Sequence, residues 1–208
     1  MNAWVIMGIF ENLNNSDHPV KEALQDLSES GNKETPNDKW EELPQLANKE
    51  HLHSLAEWVR TIYMEAAQIE NVRSVFFLLE EEYIDGSVVR DIHVYLSEVE
   101  HTSHSYEEWS KGESLGKSQN QAFSAISEAV DKFEDINGMS DYAIPLLYSG
   151  AAVYDATICV CKDPSFKLKK DLTIAVGYVY GDCFQLGKIV KPFLKSTMSF
   201  KLNIDRLA

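Results

Sequence analysis

Cysteine is scarce in this chain, and its three residues of that type, Cys159, Cys161 and Cys183, form an odd set. A structural disulfide framework in a secreted domain uses an even number at spread spacings, so these thiols are expected to stay reduced. Cys159-x-Cys161 supplies two metal ligands at most, and no paired His or Cys motif completes a four-ligand site. Core packing is the simpler use of such small apolar side chains. Long hydrophobic runs are missing as well: the stretches 3–10, 75–79 and 174–180 fall short of the roughly 18 residues that suggest a membrane span. No basic flank precedes the first of them and Glu11 closes it, so neither a secretory signal nor a transit peptide is expected. The expected location is the cytoplasm, with no membrane partner.

Catalytic signatures are also lacking. There is no Gly-x-Ser-x-Gly elbow and no glycine-rich phosphate loop, and Gly177, Gly181 and Gly187 do not have dinucleotide-binding spacing. No internal repeat or heptad array appears, which sets aside solenoids and coiled coils. Basic residues are few, with 19 Lys and Arg against 33 Asp and Glu, a net charge of −14. Such a field repels phosphate backbones, so direct nucleic-acid binding is not expected.

The chain does contain enough apolar residues, at 44% of 208, to bury one core, and a single globular domain over residues 1–208 is expected. Residues 3–10 form a short strand or a short buried helix, ending at the asparagines before Ser16. Ser16 or Asp17 followed by Pro19 starts a helix with Val20, Ala23, Leu24 and Leu27 on one stripe, stopping near Gly31. Segment 32–42 is polar, with Pro36, Asn37 and Asp38, and reads as a mobile loop. Its one large apolar residue, Trp40, docks on the core or serves a partner as an anchor.

Leu52, Leu55, Ala56, Val59, Ile62, Tyr63, Ala66 and Ile69 recur at helical period and predict a helix over 49–71. Asp85-Gly86 is a hairpin signal, so 75–84 and 87–99 are predicted to pair antiparallel. A second amphipathic helix is predicted over 119–136 from Ala122, Phe123, Ile126, Ala129, Val130 and Phe133. Segment 142–161 reads as a helix whose small residues permit close packing. Residues 172–180 and 183–190 form a second hairpin about Gly181-Asp182. The expected fold class is α+β, a mainly antiparallel sheet packed against amphipathic helices.

Two constellations invite chemistry. His101, His104 and Glu107 repeat at intervals of three and on a helix would share a face fit for a divalent metal. Thr102, Ser103 and Ser105 favour loop there as much as helix, so surface histidines are expected and no metal or other cofactor is. Glu80, Glu81, Glu82 and Asp85 concentrate carboxylates on the first hairpin, but neighbouring strand residues face opposite sides, which argues against a shared catalytic cation.

Charge is also uneven along the chain: residues 1–161 hold 10 basic and 29 acidic side chains, whereas 162–208 hold 9 and 4. Lys162, Lys167, Lys169 and Lys170 solvate a strand approach or hold an anion. The acidic part is expected to bind a basic protein through Glu80, Glu81, Glu82, Asp85, Glu98, Glu100, Glu107 and Glu108 around the aromatic anchors Tyr83, Tyr106 and Trp109. In overall acidic character, though in no specific motif, the chain resembles bacterial immunity proteins. That resemblance implies a nonenzymatic inhibitor that occludes the active site of a basic toxin domain such as a nuclease. The alternatives are a noncatalytic structural or regulatory interaction protein and a metal-assisted hydrolase.

Overall fold

The computed structural model of the chain describes residues 3–47, 49–84, 87–98, 113–117, 140–178, 181, 183–191 and 198–207. Five helical segments precede the sheet or cross it: α1 (Ala3–Asn12), a 3-10 turn (Leu13–Asn15), α2 (Pro19–Glu34), a 3-10 segment (Asp38–Leu46) and α3 (Lys49–Gln68). There follow β1 (Ser74–Ile84), β2 (Ser87–Ser97), β3 (Glu113–Lys117), α4 (Ser140–Lys162), β4 (Leu172–Tyr178), β5 (Cys183–Val190) and β6 (Ser199–Leu207). The predicted helix over 119–136 and the turn residues Asp85 and Gly86 lie outside the described residues.

The domain is α+β, and its described residues form one six-stranded sheet in the order β3-β2-β1-β4-β5-β6. Both predicted hairpins form. The first is in register from Ser74↔Ser97 to Ile84↔Ser87, and the second pairs Leu172↔Ile189 through Gly177↔Cys183. They join at the centre through β1 and β4, which run parallel from Ser74↔Thr173 to Leu79↔Tyr178. A parallel join needs a long crossover, and α4 lies within it. Strands covered on both faces read as continuous apolar runs, and all seven residues of β4 are buried. β3 and β6 were not predicted and form the two edges. On β6 the partly buried Phe200, Leu202 and Ile204 alternate with polar residues, and Lys201 is exposed, as suits an edge strand.

On one face of the sheet the helices bury a large core. Residues 3–10 are helical because Ile6, Ile9, Phe10 and Leu13 fall on one stripe at helical spacing, and all four are buried. α2 continues past Gly31 to Glu34 because the Trp40 ring occupies the place a side chain would take there: a Cβ on Gly31 would lie 2.5 Å from the ring. Trp40 is therefore a core residue, 5% exposed, with its indole N–H donated to the Thr35 carbonyl at 2.9 Å. Segment 32–42 thus begins in α2 and ends in 3-10 turns packed by Trp40.

α4 is the central helix. Its residues 142–162 are long and apolar enough to cross a membrane, yet 83% of the most apolar 18-residue window within them is buried inside the domain. The small residues admit close neighbours: Gly150 faces the Phe10 ring, and Thr157 Oγ1 lies 2.6 Å from the Tyr63 hydroxyl of α3. Burial raises the Tyr63 phenol well above its ordinary pKa despite that hydrogen bond. Tyr148, 1% exposed, differs in having no hydrogen-bond partner for its hydroxyl among the described residues, and burial pushes its pKa up to about 12. An unsatisfied buried hydroxyl costs about 1–3 kcal/mol, so Tyr148→Phe is expected to raise stability by about 1 kcal/mol. Urea unfolding checks this, and a loss of stability would mean that the hydroxyl is satisfied.

The opposite face of the sheet is buried too. Phe76, Leu78, Ala175 and Cys183 form a second cluster, with Tyr95 packed against it. Strand alternation places the buried Ser97, Ser74 and Thr173 in a row beside it.

Candidate functional site

The first hairpin separates the carboxylates that the sequence grouped. Pairing across a two-residue turn sets Glu81 opposite Arg90 and Glu80 opposite Asp91. Glu81 Oε1 accepts a hydrogen bond from Arg90 Nε at 2.8 Å, on the face shared with the buried Ile92 and Val94. Glu80 points to the other face, where its Oε2 lies 2.5 Å from His93 Nε2. That nitrogen is close but not aligned for a hydrogen bond, so the approach is a charge contact at most. The His93 ring stacks on Tyr95 with centroids 6.1 Å apart. Glu80 and Glu81 therefore serve opposite faces of the sheet and do not form one patch.

Glu82 and Tyr83 continue β1 opposite Val89 and Val88, and Glu98 follows β2 as an exposed residue. Asp85, Glu100, Tyr106, Glu107, Glu108 and Trp109 lie outside the described residues, as do His101 and His104. Among the described residues no group of three or more His, Cys, Asp and Glu side chains is placed to hold a metal ion. None of the three cysteines is in a disulfide; Cys161 is buried, which pushes its thiol up to about 12, while Cys159 is exposed.

The basic segment after α4 also has structural work. Lys170 Nζ donates to the Ile69 carbonyl and Arg73 donates to that of Glu70 at 2.9 Å, so two cations cap the C-terminal end of α3. Asp163 accepts from the Ser165 backbone N–H at 2.7 Å and forms an ion pair with Arg60. The Ser165 backbone donor, then the Arg60 side chain, hold its pKa down at about 2. Lys162, Lys167 and Lys169 are exposed.

A different acidic surface is assembled at the start of the chain. Residues 11–42 contain nine acidic and three basic side chains, and all of the acids except the half-exposed Asp26 are exposed. They border α1, α2 and the 3-10 segment. Asn12 Nδ2 donates to Asp26 Oδ2 at 3.1 Å, tying the end of α1 to α2. Around this bond Asn12, Leu13, Glu22, Gln25 and Asp26 line an open cleft of about 310 Å³. Beyond it, α1 exposes Trp4 to 71%, far more than any other large apolar residue among those described.

Trp4 is hidden within the apolar run 3–10 when only its composition is considered. The missing signal was helical period: Trp4, Gly8 and Glu11 fall on one face, opposite Ile6, Ile9 and Phe10. Buried acid occurs elsewhere. Asp155, half-buried on α4, has its pKa raised by desolvation, which outweighs the opposing charges of Lys162 and His18. Comparison with known proteins found no matching family, no matching curated protein and no matching solved structure.

Proposed function

We propose that this chain is an acidic, protein-binding inhibitor, of the kind an immunity protein represents, that acts in the cytoplasm by covering the basic active site of a toxin domain such as a nuclease. The observation that carries the reading is the run of exposed carboxylates over residues 11–42, whose field projects into solvent. Carboxylates presented on a rigid helical surface occupy places that a nuclease cleft offers to phosphates, and opposite fields accelerate encounter. No chemistry of the chain's own is required. The Glu81 carboxylate, committed to Arg90, contributes to the shape of the domain more than to this field.

The test is affinity capture from the source cell, followed by an activity assay of each purified basic partner with this chain added in increasing amounts. The expected result is stoichiometric loss of the partner's activity and protection of cells that co-express both. Association is expected to slow steeply with added salt while dissociation changes little, because charge governs approach more than residence. A partner whose activity and toxicity persist at saturating amounts of the chain overturns the proposal.

A further inference from the structure

Trp4 stands almost free on α1, and its surroundings have a pattern that solvent exposure alone does not explain. On a helix of 3.6 residues per turn, Trp4 shares a face with Gly8 and Glu11, with Asn12 beside them. A Cβ at Gly8 would meet nothing within 4 Å, so the helix backbone is open to close contact there. At its Asn12 end α1 meets the cleft lined by Asn12, Leu13, Glu22, Gln25 and Asp26, where Glu22 and Asp26 stand one turn apart on α2 and Asp26 Oδ2 also accepts from Asn12 Nδ2. An apolar ring, an open stretch of backbone and a carboxylate pair thus follow one another over about 12 Å of helix axis.

We infer that this surface docks an arginine-bearing segment of a basic protein. An arginine enters the cleft, where its guanidinium fork is received by Glu22 and Asp26, while a second side chain of the segment packs on Trp4. Charge complementarity selects this occupant. A second copy of the chain would bring Glu11, Glu22 and Asp26 against their own equivalents, and an anionic lipid surface would meet the same carboxylates, so like charges oppose both. Arginine suits the cleft better than lysine because its planar fork matches paired carboxylates. The inference rests on the inhibitor reading for the partner's character, but the surface is testable apart from it.

The probe is a hexa-arginine peptide titrated into the full chain by calorimetry at low salt, with a hexa-lysine peptide and phosphatidylserine vesicles as the other arms. Three variants are compared: Trp4→Ala, the pair Glu22→Gln/Asp26→Asn, and the pair Glu41→Gln/Glu42→Gln, which removes the same charge from the 3-10 segment. All five positions are at least partly exposed, so thermal melting is expected to be unchanged, which establishes folding. The expected result is tighter binding of the arginine peptide than of the lysine peptide. Loss should be about tenfold for the cleft pair and for Trp4→Ala, and less than about twofold for the control pair.

Equal losses from the two acidic pairs would reduce the surface to a diffuse field and overturn the inference. So would preference for the vesicles, or a concentration-dependent dimer abolished by Trp4→Ala. Inhibition of the captured partner separates the two claims. If Trp4→Ala and the cleft pair inhibit as well as the unaltered chain, the surface is wrong and the inhibitor reading stands. If the peptide binds as expected while no partner is inhibited, the surface stands without that reading.

Discussion

Replacing Phe10 with alanine is expected to lower the unfolding free energy by about 3–5 kcal/mol, the range for removing a fully buried aromatic side chain. Phe10 has no exposed surface, and its ring meets Phe184 of β5 edge to face with centroids 5.9 Å apart. The same ring fills the space over Gly150, where a Cβ would come within 2.5 Å of its Cε1 atom. Gly150→Ala should therefore cost about 1–3 kcal/mol by overpacking. In the double variant the new methyl group occupies part of the vacated volume, so the two losses should sum to more than the loss measured for the pair. Urea unfolding of the four proteins of this cycle decides the matter. A Phe10→Ala loss below about 1 kcal/mol, or strict additivity, would contradict the packing of α1 on α4. The result bears on function, because this contact fixes the helix that carries Trp4 and Glu11.

The elements that proved legible in the sequence are those specified by neighbours. Asp85-Gly86 and the alternation around it define β1 and β2 without any information from the rest of the chain, and the stripe from Leu52 to Ile69 does the same for α3. The join of the two hairpins was not legible. β1 and β4 are about 100 residues apart, and an apolar run suits a central strand in either direction, so only contacts made in the folded state select the parallel arrangement. Gly31 shows the same limit on a smaller scale. As a local signal it ends a helix, but Trp40, nine residues on, turns its missing side chain into a packing site and α2 continues.

Much the same division holds for the candidate site. The uneven charge could be counted from the sequence, and residues 11–42 form its densest described exposed part. Direction came from strand alternation, not from counting. Glu80, Glu81 and Glu82 look like one acidic patch in the sequence, yet a strand sends successive side chains to opposite faces. Their partners were within reach of inference: once the turn after Ile84 is two residues long, Glu81 must face Arg90. Trp4 needed a decision between strand and helix for a ten-residue segment, and that decision came from burial of Ile6, Ile9, Phe10 and Leu13 together.

Glu81→Ala is expected to cost about 1–3 kcal/mol of stability, whereas Glu80→Ala should cost less than about 1 kcal/mol. The difference follows from what each carboxylate faces. Arg90 is 6% exposed and always charged, so removing Glu81 takes a hydrogen-bonded carboxylate from a guanidinium that has little water to replace it. Loss of one member of a fully buried pair costs about 3–5 kcal/mol, and the 42% exposure of Glu81 places this pair between that limit and the surface value. Glu80, by contrast, meets His93 without an aligned hydrogen bond and with 31% of its side chain exposed, so its removal should cost no more than a surface pair does. A cycle combining Glu81→Ala with Arg90→Met should return a coupling of about 1 kcal/mol or more, since methionine removes the charge while keeping much of the apolar stem. The outcome also sorts residues by role. If Glu81→Ala leaves urea unfolding unchanged but slows association with the captured basic partner, Glu81 belongs to the binding surface and the hairpin regains the part first read from its sequence.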